Sequence, residues 1–375
     1  MIHKLKRTIS RNLINIPGFR THRKIVVIES DDWGSHRMPS KKVFNQLLKS
    51  GIRVDNCHYC KYDSLESEDD LSLLFDVLNS TKDKNHQPAI ITANSVVTNP
   101  DFDKIRKSNF TNYSYKKTSD SYKDFNGSEN SLDIMMQGQA SGNLSIQSHG
   151  REHVNIMRWM NYLKQDFKET RLAFDLDVYG LSTTITSEKR KSFLPAFDFE
   201  TEEEEKYGNM IVKDGLRIFK EIYGFNSKSF IAPNYTWSKS LEKSLSDCGV
   251  KYIQGGQIHR YKVNPEDKSY RRLRYNGKRN EYGQIDLARN CMFEPSEKPE
   301  KDWVNSCLTE ISRAFRWNHP AIICSHRVNF MGSLDLNNRD NNLKLLKQLL
   351  FEIKKRWPDV EFMSSDKLGD LITNK

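Results

Sequence analysis

From about residue 24 to its end the chain alternates short β-branched runs with longer stretches whose apolar residues recur at helical spacing. That alternation restricts the fold more than any other feature. "KIVVIES" reads as a strand and "KKVFNQLLKSG" as a helix closed by Gly51; the helix "DDLSLLFDVLNS" then precedes the strand "PAIITANSVV". The strand "NLSIQSH" leads to the helix "VNIMRWMNYLKQDF", with Ile156, Met160, Leu163 and Phe167 on one face. A long polar helix, "ETEEEEKYGNMIVKDGLRIFKEIYG", opens on glutamates that suit a helix N-terminus. Further strands are expected in "SFIAPNY", "VKYIQGG", "AIICSHRVNF" and "VEFMSS", separated by helices ending near Gly249, Trp317 and Trp357. Residues 107–131 read as a long surface loop, and a basic loop is expected from the "VKYIQGG" strand through Arg289. Repeated β-then-α units favour one parallel sheet, open or closed, and in a closed barrel the C-terminal strand ends share one face.

A chain of 375 residues can bury a barrel-sized core, so a single α/β domain over residues 21–375 is expected. Residues 1–20 form a basic amphipathic segment, with Ile2, Leu5, Ile9 and Leu13 spaced as on a helix between lysines and arginines. It suits packing on its own domain or peripheral contact with an anionic membrane. No apolar run is long enough to span a bilayer, and the opening residues do not read as a secretory signal. Six cysteines without such a signal suggest free thiols in the cytoplasm. Cys57 and Cys60 form one C-x-x-C without the second pair that a structural zinc site usually needs. A net charge of +10 favours something anionic, such as a nucleotide- or lipid-linked substrate. The basic residues are spread out and no nucleic-acid motif accompanies them, so nucleic acid is not an expected partner.

The strand "KIVVIES" runs directly into Asp31 and Asp32, adjacent carboxylates that repel one another and resist desolvation. Three other strand ends carry polar chemistry: "SHGREH", "APNYTW" and "CSHRVNF". His149 and His153 stand four apart where a strand gives way to a helix, so both imidazoles can face one point. Two histidines, a carboxylate and an open position make a usual catalytic metal site. Zinc is favoured, and cobalt, nickel or manganese can use the same ligands.

These motifs, in this order, resemble the polysaccharide deacetylase family (carbohydrate esterase family four, the NodB-like homology domain), which has a distorted (β/α) barrel of mostly parallel strands. The resemblance implies that Asp31 is the general base and that Asp32, His149 and His153 hold a divalent metal. "HGREH" matches the family's histidine pair, and "AIICSHRVNF" places His326 as the general acid. It further implies removal of an N-acetyl group from an amino sugar or glycan precursor in cell-surface polysaccharide biosynthesis. The third motif departs from the family: Ile231 stands where an arginine usually orients the base, with Arg37, Arg151 and Arg327 as candidate substitutes.

Trp33, Asn234, Tyr235 and Arg327 are expected to bind substrate, with Trp237 and Phe330 as further aromatic candidates. Glu152 reads as a surface or supporting residue, and His36, His259 and His319 as ordinary histidines. Two other functions fit the same pattern. A glycosidase on a related barrel needs carboxyl groups about 5 to 9 Å apart, which adjacent aspartates supply poorly. A catalytically silent carbohydrate-binding protein would account for Ile231.

Overall fold

The computed structural model describes residues 16–262 and 269–374. Most of the amphipathic segment expected over residues 1–20 lies outside them. Strands β1 (Lys24–Trp33), β2 (Ile91–Ser95), β3 (Thr98–Pro100), β4 (Tyr115–Lys117), β5 (Leu144–Ser148), β6 (Ser229–Phe230) and β7 (Tyr252–Gly256) come first. They are followed by β8 (Ile258–Lys262), β9 (Ser269–Leu273), β10 (Ile285–Arg289), β11 (Cys291–Met292), β12 (Ala321–His326) and β13 (Val360–Phe362). The main sheet has the order β10-β7-β6-β5-β2-β1-β12-β11, and β13 pairs with the start of β1. Its pairings are parallel.

One segment brings the two ends of this sheet together. β10 pairs with β7, and β11 begins two residues after β10 ends and pairs with β12. Asn290, between them, donates its backbone N–H to the Ile322 carbonyl at 3.0 Å. The result is a nearly closed (β/α) barrel, as the alternation of strands and helices required. Alternate residues of β1 explain its two faces. Val26 and Ile28 pack outward in the main core with helix residues such as Leu74 and Leu308, whereas Ile25 and Val27 share a second cluster with Ile322, Leu287 and Leu368. Glu29 and Asp31 continue that second face, so its apolar floor gives way to carboxylates toward the C-terminal strand ends.

The expected loop over residues 107–131 instead contains β4, paired antiparallel with β3, and the helix Thr118–Asp124. The expected basic loop contains the β8–β9 hairpin and β10. The glutamate-led helix runs from Glu202 to Tyr223, capped by the Thr201 side chain and ended by Gly224 at φ 79°. Among the described residues no helix is long and apolar enough to cross a membrane, and the six cysteines are free thiols.

Candidate metal-dependent active site

In a regular strand Asp31 and Asp32 would point to opposite faces. Here the β1–β2 register shifts between Ser30 and Trp33, and Asp32 takes the left-handed conformation at φ 75°. Such a bulge re-aims a side chain, and both carboxylates line one pocket of about 220 Å³ with His149, His153 and His326. Gly34 follows at φ 76°, where a Cβ would come within 2.9 Å of the Val96 carbonyl oxygen. The bend that presents the aspartates therefore needs glycine. Two larger clefts, of about 390 and 690 Å³, lie elsewhere and do not include this aspartate–histidine set.

Asp32 Oδ1 lies 3.3 Å from His149 Nε2 and 3.2 Å from His153 Nε2. His149 Nδ1 faces the Ile231 carbonyl oxygen at 2.9 Å, so Nδ1 carries the hydrogen and Nε2 presents a lone pair. That lone pair faces a carboxylate oxygen and has no hydrogen-bond partner, although the atom is buried. Burial also lowers the pKa of His153, favouring neutral imidazole. A carboxylate oxygen this close to two imidazole nitrogens, one of them presenting a lone pair, fits a divalent cation, with pocket space beyond.

Arg289, at the end of β10, grips Asp31 with both terminal nitrogens, at 2.8 and 2.6 Å. Its Nε donates to Glu29 at 2.5 Å, and Nη1 also donates to the Tyr235 hydroxyl at 2.8 Å. Asn94 adds a hydrogen bond of 2.7 Å to Asp31 Oδ1. Burial alone would raise the Asp31 pKa, but Arg289 outweighs it and lowers the value from 3.8 to about 2. Asp31 is thus an oriented carboxylate at neutral pH. The candidate substitutes are placed differently. Arg37 lines the pocket, 3.9 Å from Asp32 Oδ2, whereas Arg151 binds Glu152 and Asp214. Arg327 is fully buried on Asp63, Glu66 and the Ser35 carbonyl. The missing guanidinium comes from β10 instead.

His326, at the end of β12, faces Glu294 through Nδ1 at 2.5 Å and Asp31 Oδ2 through Nε2 at 3.7 Å. Burial opposes the imidazolium, but the Glu294 and Asp31 carboxylates prevail and hold its pKa well above 6.5. Glu294 is itself oriented by the Asn329 side-chain amide at 2.7 Å.

Asn234 and Tyr235 line the pocket, both at positive φ. Two other expected substrate contacts do not. Trp33 is completely buried in the core, its indole N–H donating to Ser30 Oγ, and Arg327 is held in its buried ion pairs. Trp237 and Phe330 are likewise core residues. Glu152 is not on the surface: it is 1% exposed and accepts from Thr98 and Arg151. His36, His259 and His319 lie outside the pocket. The motifs gave no sign of Tyr59, which stands edge-on to His326, or of Leu194, and both line the pocket.

No protein-family model matches the chain, and no curated protein matches it. Solved structures do. A putative glycoside hydrolase/deacetylase from Parabacteroides distasonis aligns at 10% identity over 94% of this chain and 72% of its own, with a TM-score of 0.50. A putative polysaccharide deacetylase from Mycobacterium smegmatis aligns at 10% identity over 96% and 93%, with a TM-score of 0.46. A GH57-type branching enzyme from Pyrococcus horikoshii aligns at 10% identity over 93% and 70%, with a TM-score of 0.45. In fold, the chain is a nearly closed, distorted β/α barrel similar to that of the Parabacteroides distasonis protein.

Proposed function

We propose that the chain is a metal-dependent hydrolase that removes an N-acetyl group from an amino sugar or a glycan precursor. The observation that carries this reading is Asp32 Oδ1 set between the Nε2 atoms of His149 and His153, beside Asp31 gripped by Arg289 and His326 paired with Glu294. Asp32, His149 and His153 would hold the cation. A bound divalent ion supplies Lewis acidity and brings the pKa of water from about 15.7 towards 7.

Asp31, kept charged by Arg289, takes a proton from the water that attacks the acetamide carbonyl. His326 keeps Nδ1 against Glu294, so Nε2 is the atom that delivers a proton into the pocket. It protonates the departing amine, which leaves poorly without it; such transfers commonly contribute about 10²- to 10⁴-fold. Tyr235, Asn234, Tyr59 and Leu194 form the wall against which a sugar ring would lie. The net charge of +10 favours phosphate-linked sugars among such substrates.

The silent-binding alternative rested on Ile231, and it loses that support because Arg289 orients Asp31. A glycosidase needs a pair of carboxyl groups about 5 to 9 Å apart, which the adjacent Asp31 and Asp32 supply poorly. Acetate release from N-acetylated sugars, lost with chelator and in Asp32→Ala, tests the proposal. Release that survives chelation, or new reducing ends without acetate, would contradict it.

A further inference from the structure

A second group of potential ligands stands outside the first. Cys324 and His326 are two apart on β12, so both point to the same side of that strand. β11 lies alongside in parallel register, Met292 opposite Cys324, and the backbone N–H of Phe293 donates to the Cys324 carbonyl. Glu294 follows directly. The barrel thus brings a thiol, an imidazole and a carboxylate together from two adjacent strands. Glu294 Oε1 is 2.5 Å from His326 Nδ1 and 3.9 Å from Cys324 Sγ.

We propose that Glu294, Cys324 and His326 form a second cation site, selective for a soft divalent ion such as cadmium or zinc. Its occupancy replaces the imidazolium proton donor of the hydrolytic site with a metal-bound imidazole that is a weaker acid. A thiolate beside an imidazole favours such ions over magnesium or calcium. With Zn–S near 2.3 Å and Zn–N and Zn–O near 2.0–2.2 Å, a tetrahedral site has ligand–ligand edges of about 3.4 to 3.6 Å. The carboxylate–sulfur separation is already close to that value. The imidazole must withdraw by about 1 Å, and its side chain, 19% exposed, borders the pocket. The carboxylate is braced for the role: Asn329 donates to its other oxygen and in turn accepts from the Ser296 backbone N–H. Outer partners of this kind fix ligand orientation.

Charge balance also permits the exchange. The imidazolium of His326 and the thiol of Cys324 each release one proton as one M²⁺ enters, so the net charge of the buried cluster is unchanged. Burial raises the Cys324 pKa, and Arg289 Nη1, 3.3 Å from Sγ, offsets part of that rise. Its own charge is already met by Glu29 and Asp31. Binding at this site does not depend on the deacetylase reading; only the inhibition that would follow rests on it.

Cadmium titration tests the site through the ultraviolet sulfur-to-cadmium charge-transfer band. A Cys57→Ser/Cys60→Ser background removes the neighbouring dithiol. In that background the band should saturate by two equivalents of cadmium, Cys324→Ser should abolish it, and Glu294→Gln should weaken binding by about 10-fold or more. Asp32→Ala should leave the band intact, which separates this site from the hydrolytic one. Excess cadmium should inhibit acetate release, and Cys324→Ser should raise the half-inhibiting concentration by a similar factor. If Cys324→Ser does not fold, Glu294→Gln decides, because it keeps the thiol. A band that persists in Cys324→Ser, is absent from the background protein, or is unaffected by Glu294→Gln overturns the proposal.

Discussion

Replacing Arg289 with glutamine should expose how the base is kept ready. The guanidinium makes two hydrogen bonds to Asp31 and one to Glu29, all three side chains being buried. The Asp31 pKa of about 2 against 3.8 corresponds to about 2.4 kcal/mol of preference for the charged form. Because the folded value is depressed, that stability is present above pH 3.8 and is lost as pH falls through about 2. In Arg289→Gln burial is no longer opposed by the guanidinium, and the Asp31 pKa rises. A plot of kcat/KM for acetate release against pH should then gain an acid limb above about pH 4, where the wild type has none from Asp31. Loss of the grip on the carboxylate should also lower the plateau by about 10²-fold. Two stranded carboxylates should cost about 3–5 kcal/mol in urea unfolding. Arg289→Lys keeps the charge but not the fork, and should recover stability better than rate. An Arg289→Gln profile with no new limb and a plateau within about threefold of wild type would refute this account of Asp31.

Three further outcomes follow from the same geometry. In Glu294→Gln the imidazolium of His326 loses its strongest partner, so the basic limb of the pH–rate profile should move to lower pH; an unmoved limb would remove His326 as the acid. Arg327→Met should destabilise by about 3–5 kcal/mol through the unpaired Asp63 and Glu66, with KM unchanged among folded molecules, since the side chain is sealed from the pocket. Gly34→Ala should cost about 1–3 kcal/mol in thermal unfolding, because a non-glycine residue there is strained and its Cβ meets Val96.

The barrel was legible because strand and helix periodicities alternate along nearly the whole chain. Asp31–Asp32, the histidine pair and His326 were legible because each falls at the end of a strand-like run. Their convergence has a physical reason that the strand pattern did not contain, namely the bulge at Asp32 that turns both carboxylates to one side. Arg289 and Glu294 were missed because they act across the barrel. Arg289 meets Asp31 258 positions away, and the alternation in "IDLAR" that marks β10 was submerged in a basic stretch. Trp33 and Arg327 misled for the opposite reason: nearness in sequence to a pocket residue says nothing about facing the pocket. A large aromatic beside a bulge can equally well anchor it from the core, and an arginine after a pocket histidine can be held by two buried acids.

The proposed hydrolysis requires one cation shared by Asp32, His149 and His153. A crystal structure of the zinc-loaded protein, with anomalous scattering recorded at the zinc edge, tests it most directly. The account predicts a peak about 2.0–2.2 Å from an Asp32 carboxylate oxygen and from both Nε2 atoms. Zinc found elsewhere with this trio empty, or held without Asp32, would contradict it.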